Sequence, residues 1–270
     1  MAKYKCYRTR SRDLADRALT AKAWAVAPRT EPFVDVVSGT PALYDTQAAM
    51  LWDDTRLYAG FWCDTPFVEA HVTERDELVC VESDVEVFFD GGDTYYELQL
   101  NARNTVYEVF YIWKDAYERG GRFDVPEFDV RRAMTFAGNA DTRHTANTFW
   151  TGTHPRGNRW TFFDWDLRGL QTAVHVEGTL NDPETVDVGW TAEIEFPWAG
   201  MHLLAGGRAL PPKTGDVWRI FLARYEKFRI GGADVSAGWS PDAIGSVDNH
   251  QPERFMEVVF SDEYVEDREP

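Results

Sequence analysis

Apolar and polar positions alternate with a period of two along most of the chain. Over residues 56–63, Leu57, Ala59, Phe61 and Cys63 interleave with Tyr58, Gly60 and Trp62, the pattern of a strand with one buried and one aromatic face. The same period marks residues 48–52, 84–90, 94–101, 105–113, 130–136, 161–166, 172–177, 189–196, 217–226 and 254–260, giving about ten strands separated by turn residues. Helical signals are confined to 12–24, with Asp13 and Asp16 early in it, and to a short start at 197–204 led by Pro197. Many short strands without long intervening helices predict an all-β fold: an antiparallel β-sandwich, jelly-roll-like with immunoglobulin-like layering, carrying few short helices. No repeat, low-complexity linker or compositional break divides the chain, so residues 1–270 read as one domain, with the loop-rich stretch 114–158 as an insertion.

Composition sharpens this picture. Hydrophobic residues make up 44% of the 270, with 11 Trp, 17 Phe and 11 Tyr, so an extensive aromatic core is expected. The formal charge of −17, with no basic stripe, excludes a phosphate-backbone partner, hence no nucleic acid. Apolar runs fall far short of the roughly 20 residues a membrane span needs, hence no membrane. The basic start of the sequence has no apolar segment behind it, which predicts a cytoplasmic protein, or an extracellular one if a leader has been removed. Cys6, Cys63 and Cys80 form an odd set without CxxC spacing and read as free thiols in a reducing compartment, not a zinc site.

The segment from Glu82 to Asn101 carries the most chemistry. Gly91-Gly92 suits a tight hairpin turn, and centring the turn there sets Asp90 opposite Asp93, Val87 opposite Tyr96 and Glu86 opposite Glu97. One face then carries Val85, Val87, Phe89, Tyr96, Leu98 and Leu100, a core surface; the other carries Asp84, Glu86, Glu97, Gln99 and Asn101. Such a polar row must be solvated, paired with cations, or turned toward a polar ligand such as a sugar. A plain solvated sheet face is the simpler alternative. The run 237–255 is a turn-rich loop holding Trp239, Asn249 and His250, residues that suit a binding loop, a core plug and a structural histidine alike.

Six segments follow one another in a telling order: Leu51-Trp-Asp-Asp-Thr-Arg-Leu-Tyr-Ala-Gly-Phe61, Asp84-Val-Glu-Val-Phe-Phe-Asp90, Tyr95-Tyr-Glu-Leu-Gln-Leu-Asn101, Gly189-Trp-Thr-Ala-Glu-Ile-Glu-Phe-Pro-Trp198, Trp218-Arg-Ile-Phe-Leu-Ala-Arg-Tyr-Glu226 and His250-Gln-Pro-Glu-Arg-Phe255. In these the chain resembles the family 9 carbohydrate-binding modules and their wider group of sandwich domains. The resemblance implies non-catalytic binding of a saccharide or glycoside at one sheet face, a place in carbohydrate catabolism, and often bound structural calcium. It places Glu86 and Asn101 at the family's sugar-bonding polar positions, with Gln99 standing where the family has an arginine; with Trp239, Asn249 and His250 of the adjoining loop, these form the expected ligand-binding set. Cys80 and Asn249 occupy the positions of the family's two sugar-stacking tryptophans, so Trp239, Tyr111 and Trp113 are the candidate replacements.

Three further readings stay open. A glycoside-active enzyme would draw its acid and base or nucleophile from Asp84, Glu86 and Glu97, with Glu74 and Asp76 nearby in sequence. Haem would need axial ligands from His250, His71, Met201 or Met256, without a CxxCH attachment motif. Calcium would take oxygen ligands from Asp90 and Asp93, or from Asp53-Asp54, which also reads as an ordinary hairpin turn. The acidic run 262–269 reads as a solvated tail and 8–12 as a frayed start. No GxSxG, HExxH, P-loop or GxGxxG is present.

Overall fold

The computed structural model describes residues 3–10, 19–138 and 147–268. The described strands are β1 (Lys3–Arg8), β2 (Val34–Asp35), β3 (Thr46–Trp52), β4 (Arg56–Asp64), β5 (Asp84–Asp90), β6 (Thr94–Asn101), β7 (Val106–Trp113), β8 (Met134–Ala137), β9 (Thr148–Thr151), β10 (Arg159–Phe162), β11 (Gln171–Glu177), β12 (Gly189–Pro197), β13 (Val217–Ile230), β14 (Ala233–Ser240) and β15 (Met256–Tyr264). One hydrogen-bonded path runs β11-β12-β4-β3-β1-β15-β13-β5-β6-β7-β10-β8-β9, with β14 on β13 and β2 on β14. The all-β sandwich expected from the alternation is what forms, and most pairings are antiparallel. The sheet is nevertheless mixed: β1 lies parallel to both β3 and β15, and β8 lies parallel to β9.

Period-two alternation explains the layers. Ala48, Met50, Leu57, Ala59, Phe61, Ala192, Ile194 and Phe196 face inward from β3, β4 and β12. They share one core with Val85, Val87, Phe89, Tyr96, Leu98, Leu100, Phe110, Ile112 and Leu222 from β5, β6, β7 and β13. Burial of this apolar surface supplies the main drive to fold. Outside β3 and β4 a smaller cluster forms where α1 (Lys22–Val26) lays Ala23 and Trp24 against Ala49, Leu51 and Tyr58. Gly60 permits that approach, since a Cβ there would stand 3.2 Å from the Trp24 ring. The helical signal over 12–24 thus ends as five residues; positions 11–18 lie outside the described residues. The start at 197–204 is a single 3-10 turn, Trp198–Gly200.

Two expectations about the ends are corrected. Arg8 belongs to β1 rather than to a frayed start; it stacks on Trp52 and pairs with Asp54. The acidic run is not a loose tail either: Val265 is buried, Glu266 accepts hydrogen bonds from the Thr9 hydroxyl and Arg10 N–H, and Asp267 pairs with Arg10. Charge composition hid this, because the acidic residues answer basic ones roughly 250 positions away. No helix among the described residues is long and apolar enough to cross a membrane. Cys6 and Cys63 are buried, Cys80 is exposed, and all three are free thiols.

Candidate functional site

The outer face of β13, β5, β6 and β7 carries the polar row, and pairing register sets its order. The observed register places Asp90 opposite Tyr95, Val87 opposite Leu98, Glu86 opposite Gln99 and Asp84 opposite Asn101. This corrects the hairpin centred on Gly91-Gly92: Gly91 instead pairs with Thr94, and Gly92, at φ +78°, turns the chain together with Asp93. The offset is an even number of residues, so each side chain keeps the face its alternation assigned. A straight cross-strand row results: Ala223, Glu86, Gln99 and Tyr107.

That row floors a cleft of about 570 Å3. Glu86, Glu97, Gln99, Tyr107, Tyr111 and Tyr225 come from the sheet, and Leu78, Cys80 and Val81 from the turn before β5. The stretch 114–158 supplies Phe136, Phe149 and Trp150, and the loop before β15 supplies Val247, Asp248, Asn249 and His250. Gln99 Nε2 donates to Glu86 Oε1 at 3.1 Å and to Glu97 Oε1 at 2.7 Å, tying the two carboxyls together. Asn249 Nδ2 donates to Glu86 Oε2 at 2.9 Å, and the Tyr111 hydroxyl donates to Glu97 Oε2 at 2.6 Å. The side-chain oxygen of Gln99, Oε1, is buried and has no hydrogen-bond partner.

Burial without a bonded cation controls the charge of this floor. Desolvation, reinforced by Asp84 and Glu97, holds the Glu86 carboxyl well above its ordinary range. Desolvation also pushes Glu97 up to about 7 against the pull of Tyr111 and Gln99. Asp84 is fully buried with neither carboxylate oxygen hydrogen-bonded, and desolvation drives its carboxyl far upward despite Lys227. Burial therefore shifts all three carboxyls toward the uncharged form relative to exposed ones, and Glu97 titrates near neutral pH, so the floor carries less charge than its carboxyl count implies.

His250 sits among the rings of Phe88, Tyr95, Tyr111 and Phe136, with its Nδ1 3.2 Å from the Tyr95 hydroxyl. Desolvation and the neighbouring Arg159 guanidinium lower its pKa to about 3, so the imidazole is neutral. The loop carrying it is anchored at both ends: Asp248 accepts from Thr153 N–H and Oγ1, and the His250 carbonyl accepts from Arg159 Nη2 at 2.9 Å.

Of the expected ligand-binding residues, Glu86, Gln99, Asn249 and His250 meet at the cleft, and Asn101 and Trp239 do not. Asn101 donates to the Val72 carbonyl and Glu82, and its side-chain oxygen accepts from Arg103 and Thr105 N–H groups, so it braces the adjoining loop. Trp239 packs into the core beside Tyr44, Phe228 and Arg224 on the other side of the sheet. Of the other aromatic candidates, Tyr111 lines the cleft, while Trp113 is buried against His154 and Arg159. The exposed aromatic is Trp150, with 61% of its surface accessible. Its signal was the adjacent pair Phe149-Trp150 within a polar stretch, a run too short to register as a strand by alternation.

The carboxylates expected of an enzyme divide similarly. Glu86 and Glu97 line the cleft; Asp84, Glu74 and Asp76 are not among its lining residues. The haem candidates are not brought together: Met201 and Met256 belong to the inter-layer core, His250 lies among outer-face rings, and His71 is exposed and bonded to Glu69. The calcium pair does not fit a hard cation. Asp93 is paired with Arg122 and Arg156, and Asp90 accepts the Gly92 N–H and faces Arg219. Asp53 Oδ1 caps its own turn, accepting from Thr55 and Arg56 N–H. No cluster of three or more His, Cys, Asp or Glu suited to a metal occurs among the described residues.

No family model matches the sequence, and no curated protein matches it. Solved structures do match in fold. A candidate carbohydrate-binding protein from Bacteroides uniformis superposes with a TM-score of 0.56 at 12% identity, over 96% of this chain and 99% of that one. A family 9 carbohydrate-binding module from Caldicellulosiruptor kristjanssonii, in complex with glucose, gives 0.51 at 12% identity over 96% of both chains. The same organism's module with cellotriose gives 0.50 at 13% identity, over 99% of this chain and 98% of that one. The chain therefore has the β-sandwich fold of family 9 carbohydrate-binding modules.

Proposed function

We propose that the chain is a non-catalytic carbohydrate-binding domain whose site is the cleft on the outer sheet face. One observation carries the reading: a buried row of carboxyl and amide groups, Glu86, Gln99, Glu97 and Asn249, opens into the same cleft as the exposed indole of Trp150. Sugars present hydroxyls on their edges and C–H groups on their faces, so a polar floor beside an aromatic plate matches both. The unpartnered Gln99 oxygen can accept a hydroxyl donor, and a protonated Glu86 or Glu97 can itself donate to a hydroxyl oxygen. The fold neighbours from Caldicellulosiruptor kristjanssonii hold glucose and cellotriose, which supports a saccharide as the ligand class.

Isothermal titration against mono- and oligosaccharides, followed by chromatography of the recovered ligand, tests the proposal. The expected result is saturable binding with intact ligand, and a loss of about tenfold in affinity for Gln99→Ala, the size of a lost buried hydrogen bond. Release of a hydrolysed product, abolished by Glu97→Gln, would replace this reading with a glycosidase built on the Glu86 and Glu97 pair.

A further inference from the structure

We propose that the cleft selects glycosides carrying an apolar aglycone, with the sugar on the polar floor and the aglycone against an apolar rim; this rests on the carbohydrate-binding reading above. The rim is the observation that a plain sugar leaves unexplained. Val247 is 80% exposed, Val81 63% and Leu78 41%, and all three border the cleft together with Trp150. An indole can stack on a sugar face, whereas leucine and valine side chains make no hydrogen bond and offer sugar hydroxyls nothing. Grouped apolar side chains rimmed by polar residues mark a surface that something apolar covers.

Three further features narrow the occupant. The cavity, at about 570 Å3, falls in the size range of sites for drug-sized ligands and leaves room beyond one sugar ring. The lining divides by element: the polar floor groups Glu86, Glu97 and Gln99 come from β5 and β6, while Leu78 and Val81 come from the preceding turn, Trp150 from β9 and Val247 from the loop before β15, where it adjoins the polar Asp248 and Asn249. An amphiphilic molecule with one polar and one apolar end fits that division. The net charge of −17 disfavours an anionic ligand. Lys227 is the cationic side chain among the lining residues, and its ammonium group donates to Ser236.

Titrations of matched methyl and 4-nitrophenyl β-glycosides of glucose, galactose, mannose and xylose, with 4-nitrophenol alone as control, test the inference. At least one 4-nitrophenyl glycoside is expected to bind about tenfold or more tightly than its methyl partner, and 4-nitrophenol to bind far more weakly than either. In a Val81→Ser/Val247→Ser variant, whose changes sit on exposed positions, the ratio between the two glycosides is expected to fall below about twofold. Equal affinity for methyl and 4-nitrophenyl glycosides would overturn the aglycone inference and leave carbohydrate binding intact. A ratio that survives the double substitution would overturn the assignment of the rim. Absence of binding by every glycoside, or binding of 4-nitrophenol as tight as that of its glycosides, would overturn the carbohydrate reading together with this one.

Discussion

The two faces of β5, β6 and β7 are almost equally inaccessible to solvent, yet one is mainly apolar and the other mixes rings with buried carboxyl and amide groups. The inner face, with Val87, Phe89, Leu98 and Leu100, is apolar and closed by the facing layer. The outer face sets Glu86, Glu97 and Gln99, only 3–4% exposed, beside the rings of Phe88, Tyr95 and Tyr111, and is closed by loops and the stretch 114–158 rather than by a second sheet. Apolar groups gain by leaving water, so the inner face is buried for stability. Carboxyl and amide groups lose by the same transfer unless they find partners, so the polar row is held in place by the apolar clusters around it and is free to serve a ligand.

The largest expected contrast comes from cutting one residue of the inner face and one that borders the cleft over the outer face. Leu98→Ala should remove about 2–5 kcal/mol of stability through the cavity it leaves, read as a shifted denaturant midpoint. Trp150→Ala should do the reverse: stability within about 0.5 kcal/mol of wild type, because the ring is exposed, with sugar affinity down tenfold or more by titration. A large loss of stability in the tryptophan variant would erase the distinction between structural and ligand-facing apolar groups.

A subtler contrast is in pH. Glu97 holds its proton up to about 7 in the folded protein against an ordinary value of 4.5, so its contribution to stability is fully present below about 4.5 and is lost as pH rises through about 7. His250 acts oppositely, since its folded pKa near 3 lies below the ordinary 6.5 and removes stability as pH falls below that value. The comparison that isolates the carboxyl is therefore wild type minus Glu97→Gln. Their difference in melting temperature should drift against the wild type between pH 4.5 and 7 and be flat above pH 8. A difference independent of pH across that window would mean that Glu97 titrates as an ordinary exposed glutamate.

Alternation along the chain determined the strands that matter most here. Residues 84–90 and 94–101 became β5 and β6 with the foreseen bounds, and the division of their side chains between two faces survived an error in the turn. It did so because side-chain direction depends only on parity along the strand, and the turn was misplaced by an even step. Alternation likewise singled out Glu86 and Gln99, polar among apolar neighbours, while Asn249 and His250 stood out as polar groups of a turn-rich loop. What the tertiary structure decided was everything that depends on partners distant in sequence. Whether Trp239 points into the core and Trp150 into solvent turns on which layer each strand covers, and both are simply tryptophans near loops when read locally. The parallel placement of β1 beside β3 and β15, the docking of the acidic C-terminal run onto Arg10, and the closing of the polar face by the stretch 114–158 are long-range pairings. No local propensity encodes these pairings, because their free energy comes from desolvating surfaces that meet only once the chain has folded.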